Sequence, residues 1–419
     1  MTSRQRLAAS LDHQCPDRVC VDFGATPVSG MHVAVVHELR RRLLGDDDWR
    51  VKVIEPYQML GEIDDELRTA LGVDTVGLWG RTSLFGTEAR DWREWELFDG
   101  TPCLVPGDFN VSPAADGGWL MYPEGDQSVA PSGHMPHGQF FFDTIIRQEP
   151  IDEARLDPAD NCEEFSLLSA ADLAHWEARA DWYDEHADEG CVLIAPGAAF
   201  GDIALVPAPF LRRPRGIRDV EEWYVSTAIR RDYVKAVFER QCQVALANLA
   251  TLADIMGDRV QAIMVTGTDF GTQRGPFISV DAYRDLFKPF HQRVNDFIHE
   301  RTGWKTFIHS CGSVRALLPD FVEAGFDILN PVQCSAADMD AKALKREFGR
   351  HLVFWGGGVD TQKTLAFGTP LEVYREVSER VAVFGEDGGF VFNGVHNIQG
   401  NTPLDNLQAL FRALRDSAE

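Results

Sequence analysis

The residues best equipped for chemistry are His309 and Cys311, in the run Lys305-Thr306-Phe307-Ile308-His309-Ser310-Cys311-Gly312. β-Branched and apolar residues lead up to the histidine, and a glycine closes the run. Side chains at i and i+2 of a strand leave the same face, so the imidazole and the thiol project together. A nitrogen and a sulfur donor converging at a strand end suit zinc, which takes both in tetrahedral sites. The plain alternative is a buried cysteine beside a hydrogen-bonded core histidine. The polar residues elsewhere in the chain weigh against it.

Elements that would position this pair recur along the sequence. Short apolar runs begin near residues 19, 75, 192, 263, 306, 327, 353 and 390, separated mostly by helical stretches. Continuous apolar runs, rather than alternating ones, mark strands covered on both faces, as in parallel sheets. Eight such β/α units predict a TIM (β/α)8 barrel occupying residues 1–419 as a single domain. Residues 80–150 break the rhythm. They are dense in Trp, Phe, Gly, Pro and Asp, lack helical periodicity, and predict a β-rich insertion over one end of the barrel. Helices are expected over 3–13, 31–44, 170–188 and 219–256, and from Ser279. Thr369-Pro370-Leu371-Glu372 and Thr402-Pro403-Leu404-Asp405 each read as a helix start capped by threonine.

Chemistry in such a barrel gathers at the C-terminal ends of the strands. Those ends carry Asp22, Asp269, Gln273, His309, Cys311, Asn330, Gln333, Cys334, Trp355, Asn393 and His396. Of these, Asp22, Gln273, Asn330, Gln333, Trp355 and Asn393 are expected to face a substrate. The third metal ligand lies between Cys334 and His396. Cys334 ranks first because it follows the strand adjacent to the one bearing His309 and Cys311. His396 then reads as a catalytic acid or base, and Asp269 as a second catalytic residue or a ligand-orienting one. Gly356-Gly357-Gly358 is a weak signal for a phosphate cradle and serves equally for close backbone approach.

Composition narrows the partners. Hydrophobic residues at 44% and charged residues at 25% are ordinary globular values. A formal charge of −25 argues against a nucleic-acid partner. No run approaches the roughly 20 apolar residues of a membrane helix, and Met1–Gln14 lacks the apolar core of a signal peptide. The 8 cysteines follow no close-spaced framework, which predicts reduced thiols in a cytoplasm.

With these residues in view, the sequence resembles the uroporphyrinogen decarboxylase superfamily. The resemblance runs from Arg4–Asp22 through Gly267–Gln273, His309–Val314, Asp327–Gln333, Phe354–Gln362 and Val395–Gln399 to Thr402–Asn406. It implies a TIM barrel and one of two chemistries. One is cofactor-free decarboxylation of porphyrinogens. The other is zinc-dependent methyl transfer involving corrinoid proteins and thiols such as coenzyme M. The decarboxylases hold substrate carboxylates with an arginine-rich segment after the first strand, whereas here Gly24-Ala25-Thr26-Pro27-Val28-Ser29-Gly30 has no arginine. His309-Ser310-Cys311-Gly312 matches the methyltransferase pattern, although the later cysteine of that branch falls at His396. The resemblance therefore implies a zinc-dependent methyltransferase acting between a small-molecule donor or thiol and cobalamin. The corrinoid would sit on a partner protein, because no Asp-x-His-x-x-Gly signature occurs in this chain. A cofactor-free decarboxylase or lyase is the alternative, and a barrel retained for binding alone is a third. A homodimer is compatible with each.

Overall fold

The computed structural model describes residues 1–418. Eight parallel strands form the central sheet: β1 (Cys20–Val21), β2 (Thr75–Leu78), β3 (Gly190–Ile194), β4 (Ala262–Thr266), β5 (Lys305–His309), β6 (Ile328–Asn330), β7 (Val353–Trp355) and β8 (Phe390–Phe392). Their hydrogen-bonded order is β1-β8-β7-β6-β5-β4-β3-β2, with β1 parallel to β8. Helices fill most of the connections, and the fold is a TIM (β/α)8 barrel.

One seam lacks a ladder, that between β1 and β2. Asp74, the residue before β2, bridges it. Its N–H donates to the Val21 carbonyl (2.7 Å), and its carboxylate accepts the Val21 N–H (2.9 Å). The same carboxylate takes Ser3 Oγ at 2.8 Å, Arg6 at 2.6 Å and Arg18 at 2.7 and 2.8 Å.

The strands form because both faces bury apolar side chains; all five residues of β4 are buried. Inside the ring, Val192, Met264, Phe307, Ile328, Val353, Trp355 and Val391 pack together. Leu7 and Leu11 of the first helix (Ser3–Leu11) plug the N-terminal end of this interior core. Phe307 points inward, so His309, two residues on, does too.

Outside the barrel, two four-stranded sheets stand apart from the central one. Val111–Pro113, Trp119–Met121, Gly133–Met135 and Asp143–Thr144 form one, wholly antiparallel. The other joins Arg93–Glu96 and Pro102–Val105 to Val51–Glu55 and Leu60–Gly61. The last two strands come from well before residue 80, a pairing that no local pattern announces.

Ser279 caps its helix by accepting the Ala282 N–H (3.1 Å), and Thr369 forms a capping box with Glu372. Thr402 does not cap, because its N–H is held in a turn by the Gln399 carbonyl and the last helix starts only at Leu404. The stretch 219–256 is two helices, Val220–Ile229 and Arg231–Met256, separated at the non-helical Arg230. Among the described residues all eight cysteines are free, and no helix is long and apolar enough to cross a membrane.

Candidate metal centre

β5 delivers His309 into the mouth of the barrel, where only 3% of the residue is exposed. Register places it beside Asn330 of β6, and its Nδ1 lies 2.5 Å from Asn330 Oδ1. Its Nε2 lies 3.4 Å from Cys311 Sγ. The turn carrying Cys311 is pinned on three sides. The Cys311 N–H donates to Asp269 Oδ1 (2.6 Å), the Gly312 N–H to Gln333 Oε1 (2.7 Å), and the Phe270 N–H to Ser310 Oγ (2.9 Å). Gly312 has a φ of +84°, and a Cβ there would come within 2.5 Å of the Gly271 backbone, so a side chain would break the turn.

His396 reaches the same place from the loop after β8. That loop is laced to the one after β7: Gly357 and Gly358 N–H groups donate to the carbonyls of Gly394 and Asn393 (3.2 and 2.9 Å), and Val395 donates to Val359 (3.0 Å). A Cβ on Gly357 would sit 2.4 Å from the Val332 carbonyl oxygen. The three-glycine run therefore serves close packing of two loops. The His396 and His309 rings stand 5.5 Å apart, near perpendicular.

Donor atoms of His309, Cys311 and His396 all lie within 4.8 Å of one another. Donors in a tetrahedral zinc site stand about 3.5 Å apart, given bonds of about 2.0 to 2.3 Å, so a modest rotation of side chains closes the group. Burial lowers the pKa of both histidines to about 4, and the neighbouring His309 ring adds to the effect at His396. Burial, then the nearby Asp269 carboxylate, pushes the Cys311 thiol well above its ordinary value. At neutral pH the imidazoles therefore keep free lone pairs, the form that ligates. Two nitrogens and one sulfur beside a cavity are a donor set that fits a borderline-soft cation such as zinc.

Cys334, expected as the third ligand, lies outside this group. Gln333 takes the inward direction to reach Gly312, and Cys334 leaves on the other side. There it packs against the outer core near Arg380 and Glu376, with burial raising its thiol to about 11. Nearness of strands does not suffice when the side chain points away.

The six residues expected to face a substrate are placed otherwise. Asp22 is fully buried: its carboxylate accepts Thr75 Oγ1 (2.7 Å), the Ala25 N–H (3.1 Å) and Trp355 Nε1 (2.8 Å). Asn393 donates to the carbonyls of Asp22 and Ser29 (2.7 and 3.1 Å). Asn330 and Gln333 brace the donor group, and Gln273 is exposed on the β4 loop. All of them but Gln273 bond into the scaffold beneath the mouth, and none of the six lines the cavity.

A cavity of about 1410 Å³ opens on His309, His396 and Asp269. Its walls include Tyr57, Gln58 and Glu55 from the small sheet, and Asp202 from the loop after β3. Burial lifts the Asp202 carboxyl to about 6, helped by Asp269, and the Glu55 carboxyl to about 7. Asp269 is likewise raised, chiefly by burial. Of the wall cations, Lys52, Arg68 and Arg81 are paired with Glu62 (3.1 Å), Glu189 (3.0 Å) and Asp172 (3.0 Å), whereas Arg179 meets no carboxylate among the described residues and lies over the Trp182 ring. No motif in the sequence singles out Asp202 or the small-sheet residues. Only the rule that loops after barrel strands line the mouth points to Asp202.

Fold and site thus define a TIM barrel with a three-donor group at the C-terminal mouth of its strands. Residues 216–417, which carry β4 through β8 and all three donors, match the family described as uroporphyrinogen decarboxylase (URO-D). Among solved structures, the chain is similar to a methyltransferase from Methanosarcina mazei. Identity is 16%, the TM-score is 0.54, and 99% of each chain is covered. That likeness is one of fold. No curated protein matches the chain.

Proposed function

We propose that this chain is a zinc-dependent methyltransferase, moving a methyl group between a small-molecule donor or thiol and a corrinoid on a partner protein. The observation that carries the reading is the convergence of His309, Cys311 and His396 within 4.8 Å beside a large cavity. The family match and the likeness in fold to a methyltransferase support it.

His309, Cys311 and His396, beside the cavity, would hold the metal. Zinc bound there supplies a Lewis acid for the donor's heteroatom or keeps an acceptor thiol as thiolate. Asp269 braces the Cys311 turn through its Oδ1, and it lies 3.9 Å from His309 Nε2 while open to the cavity. It is positioned to take the acceptor's proton or to orient the departing group. A decarboxylase of polycarboxylates would need free cations around its substrate. Lys52, Arg68 and Arg81 are already paired and Gly24–Gly30 supplies none, which leaves Arg179 alone to meet several carboxylates and weighs against that reading.

Elemental analysis of the purified native protein should find about one zinc per chain, lost on Cys311→Ser. Methyl transfer between methylcobalamin and small thiols, followed by the cobalamin absorption change, tests the reaction. Native protein free of zinc and inert toward methylcobalamin overturns the proposal.

A further inference from the structure

We infer that Asn330 is a positioning residue that fixes which nitrogen of His309 is offered to a metal. The Trp355 backbone carbonyl can only accept, and the Asn330 side-chain atom 2.8 Å from it must therefore be the amide nitrogen. The oxygen of that amide then faces His309 Nδ1 at 2.5 Å. An amide oxygen can only accept, so Nδ1 carries the imidazole proton. The Nε2 lone pair is left free, pointing toward Cys311 Sγ.

Asn330 is itself held hard. It is 1% exposed, faces His309 across the β5–β6 ladder, and its Nδ2 would touch any Cβ on Gly356 at 3.1 Å. Three successive strands thus take part: β7 orients the amide on β6, and the amide orients the imidazole on β5. A neutral partner is used where many histidine ligands have a carboxylate. Asn330 therefore fixes tautomer and ring angle without adding a negative charge beside Asp269 and Cys311.

This role rests on the metal-binding part of the reading above, not on methyl transfer. Its first test needs no metal. Nitrogen-15 spectra of histidine in the metal-free protein should show His309 protonated at Nδ1, and protonation at Nε2 overturns the inference. Its second test is zinc affinity, by competition with a chromophoric chelator. Asn330→Leu should weaken binding about 10- to 100-fold, the range for loss of such a partner. Asn330→Asp keeps the acceptor and should bind at least as tightly as the native chain, although it loses the bond to Trp355. If Asn330→Leu does not fold, the Asn330→Asp affinity and the native spectrum still decide. A folded Asn330→Leu with native affinity, or an Asn330→Asp variant weakened as much as Asn330→Leu, also overturns it. Should no variant bind zinc, the proposed function fails while the spectrum still judges Asn330.

Discussion

At the N-terminal end of the barrel, the Asp74 carboxylate accepts five hydrogen bonds, from Ser3, Arg6, Val21 and both Nη atoms of Arg18. At the C-terminal end, neither ring nitrogen of His396 has a hydrogen-bond partner among the described residues, and His309 spends only one nitrogen on the protein scaffold. Both groups are polar and enclosed. The lower one is saturated and ties together the first helix, β1 and β2, so nothing is left for a ligand to take. The upper one is braced from behind by Asn330, Asp269 and Gln333 while its forward lone pairs stay free. Saturation marks a group that holds the fold, whereas the unspent lone pairs of the upper group are the ones the proposed metal would use.

The contrast can be broken at either end. The largest effect is expected from His396→Ala, which should strip zinc from the native protein while the melting temperature of the metal-free form moves little. A metal-free form that unfolds would mean that His396 holds the fold. Next, Asp74→Ala removes the acceptor of five hydrogen bonds, leaving Arg18 without its carboxylate and Arg6 with Asp17 alone, and should cost about 3 kcal/mol in denaturant unfolding. The fraction still folded should bind zinc normally. A loss below about 1 kcal/mol would show that the seam does not depend on this residue.

A smaller effect concerns acid. The hydrogen bond from Arg6, with those of the N-terminus, holds the Asp17 carboxyl well below its usual 3.8. Its contribution is therefore complete above pH 3.8 and fades as the pH falls below that value. Because the Asp17 side chain is 44% exposed, solvent screens the pair, and Asp17→Asn should cost under about 1 kcal/mol at pH 7. That difference should vanish in strong acid; a constant difference across pH assigns it to packing instead. Smallest of all, Cys334→Ala should leave zinc content unchanged. Loss of zinc on that substitution would return Cys334 to the donor group.

Much of the barrel is legible in the sequence because each strand is an unbroken apolar run between helices, a signal carried within a few residues. Offsets of one or two residues at strand edges do not alter the topology, as where β3 begins at Gly190. His309 and Cys311 are legible for the same reason, since strand parity fixes their common direction. The third donor is not. Cys334 and His396 both follow barrel strands, and what separates them is the turn of Gln333 inward and the lacing of the β8 loop through Gly357 and Gly358. Those are contacts between distant segments. Asp22, Trp355 and Asn393 escape a sequence reading in the same way. A polar residue at a strand end can serve either the cavity or the lattice of bonds beneath it, and only packing tells which. The pairing of Val51–Glu55 with Pro102–Val105 is likewise non-local.

The donor group is assembled from two ends of a long interval. His309 and Cys311 arrive with β5, but His396 comes only after β8, once the ring has been rounded. A chain emerging from the ribosome would therefore carry an incomplete set until its final barrel strand is made. A cation that needs all three donors cannot be retained by a truncated or half-built chain, so its capture reports that the last unit has docked. Once held, it would tie β8 back to β5 and oppose fraying of the C-terminal unit, by an amount set by free metal concentration relative to its dissociation constant. Loading would thus act as a quality check on synthesis as well as preparation for catalysis.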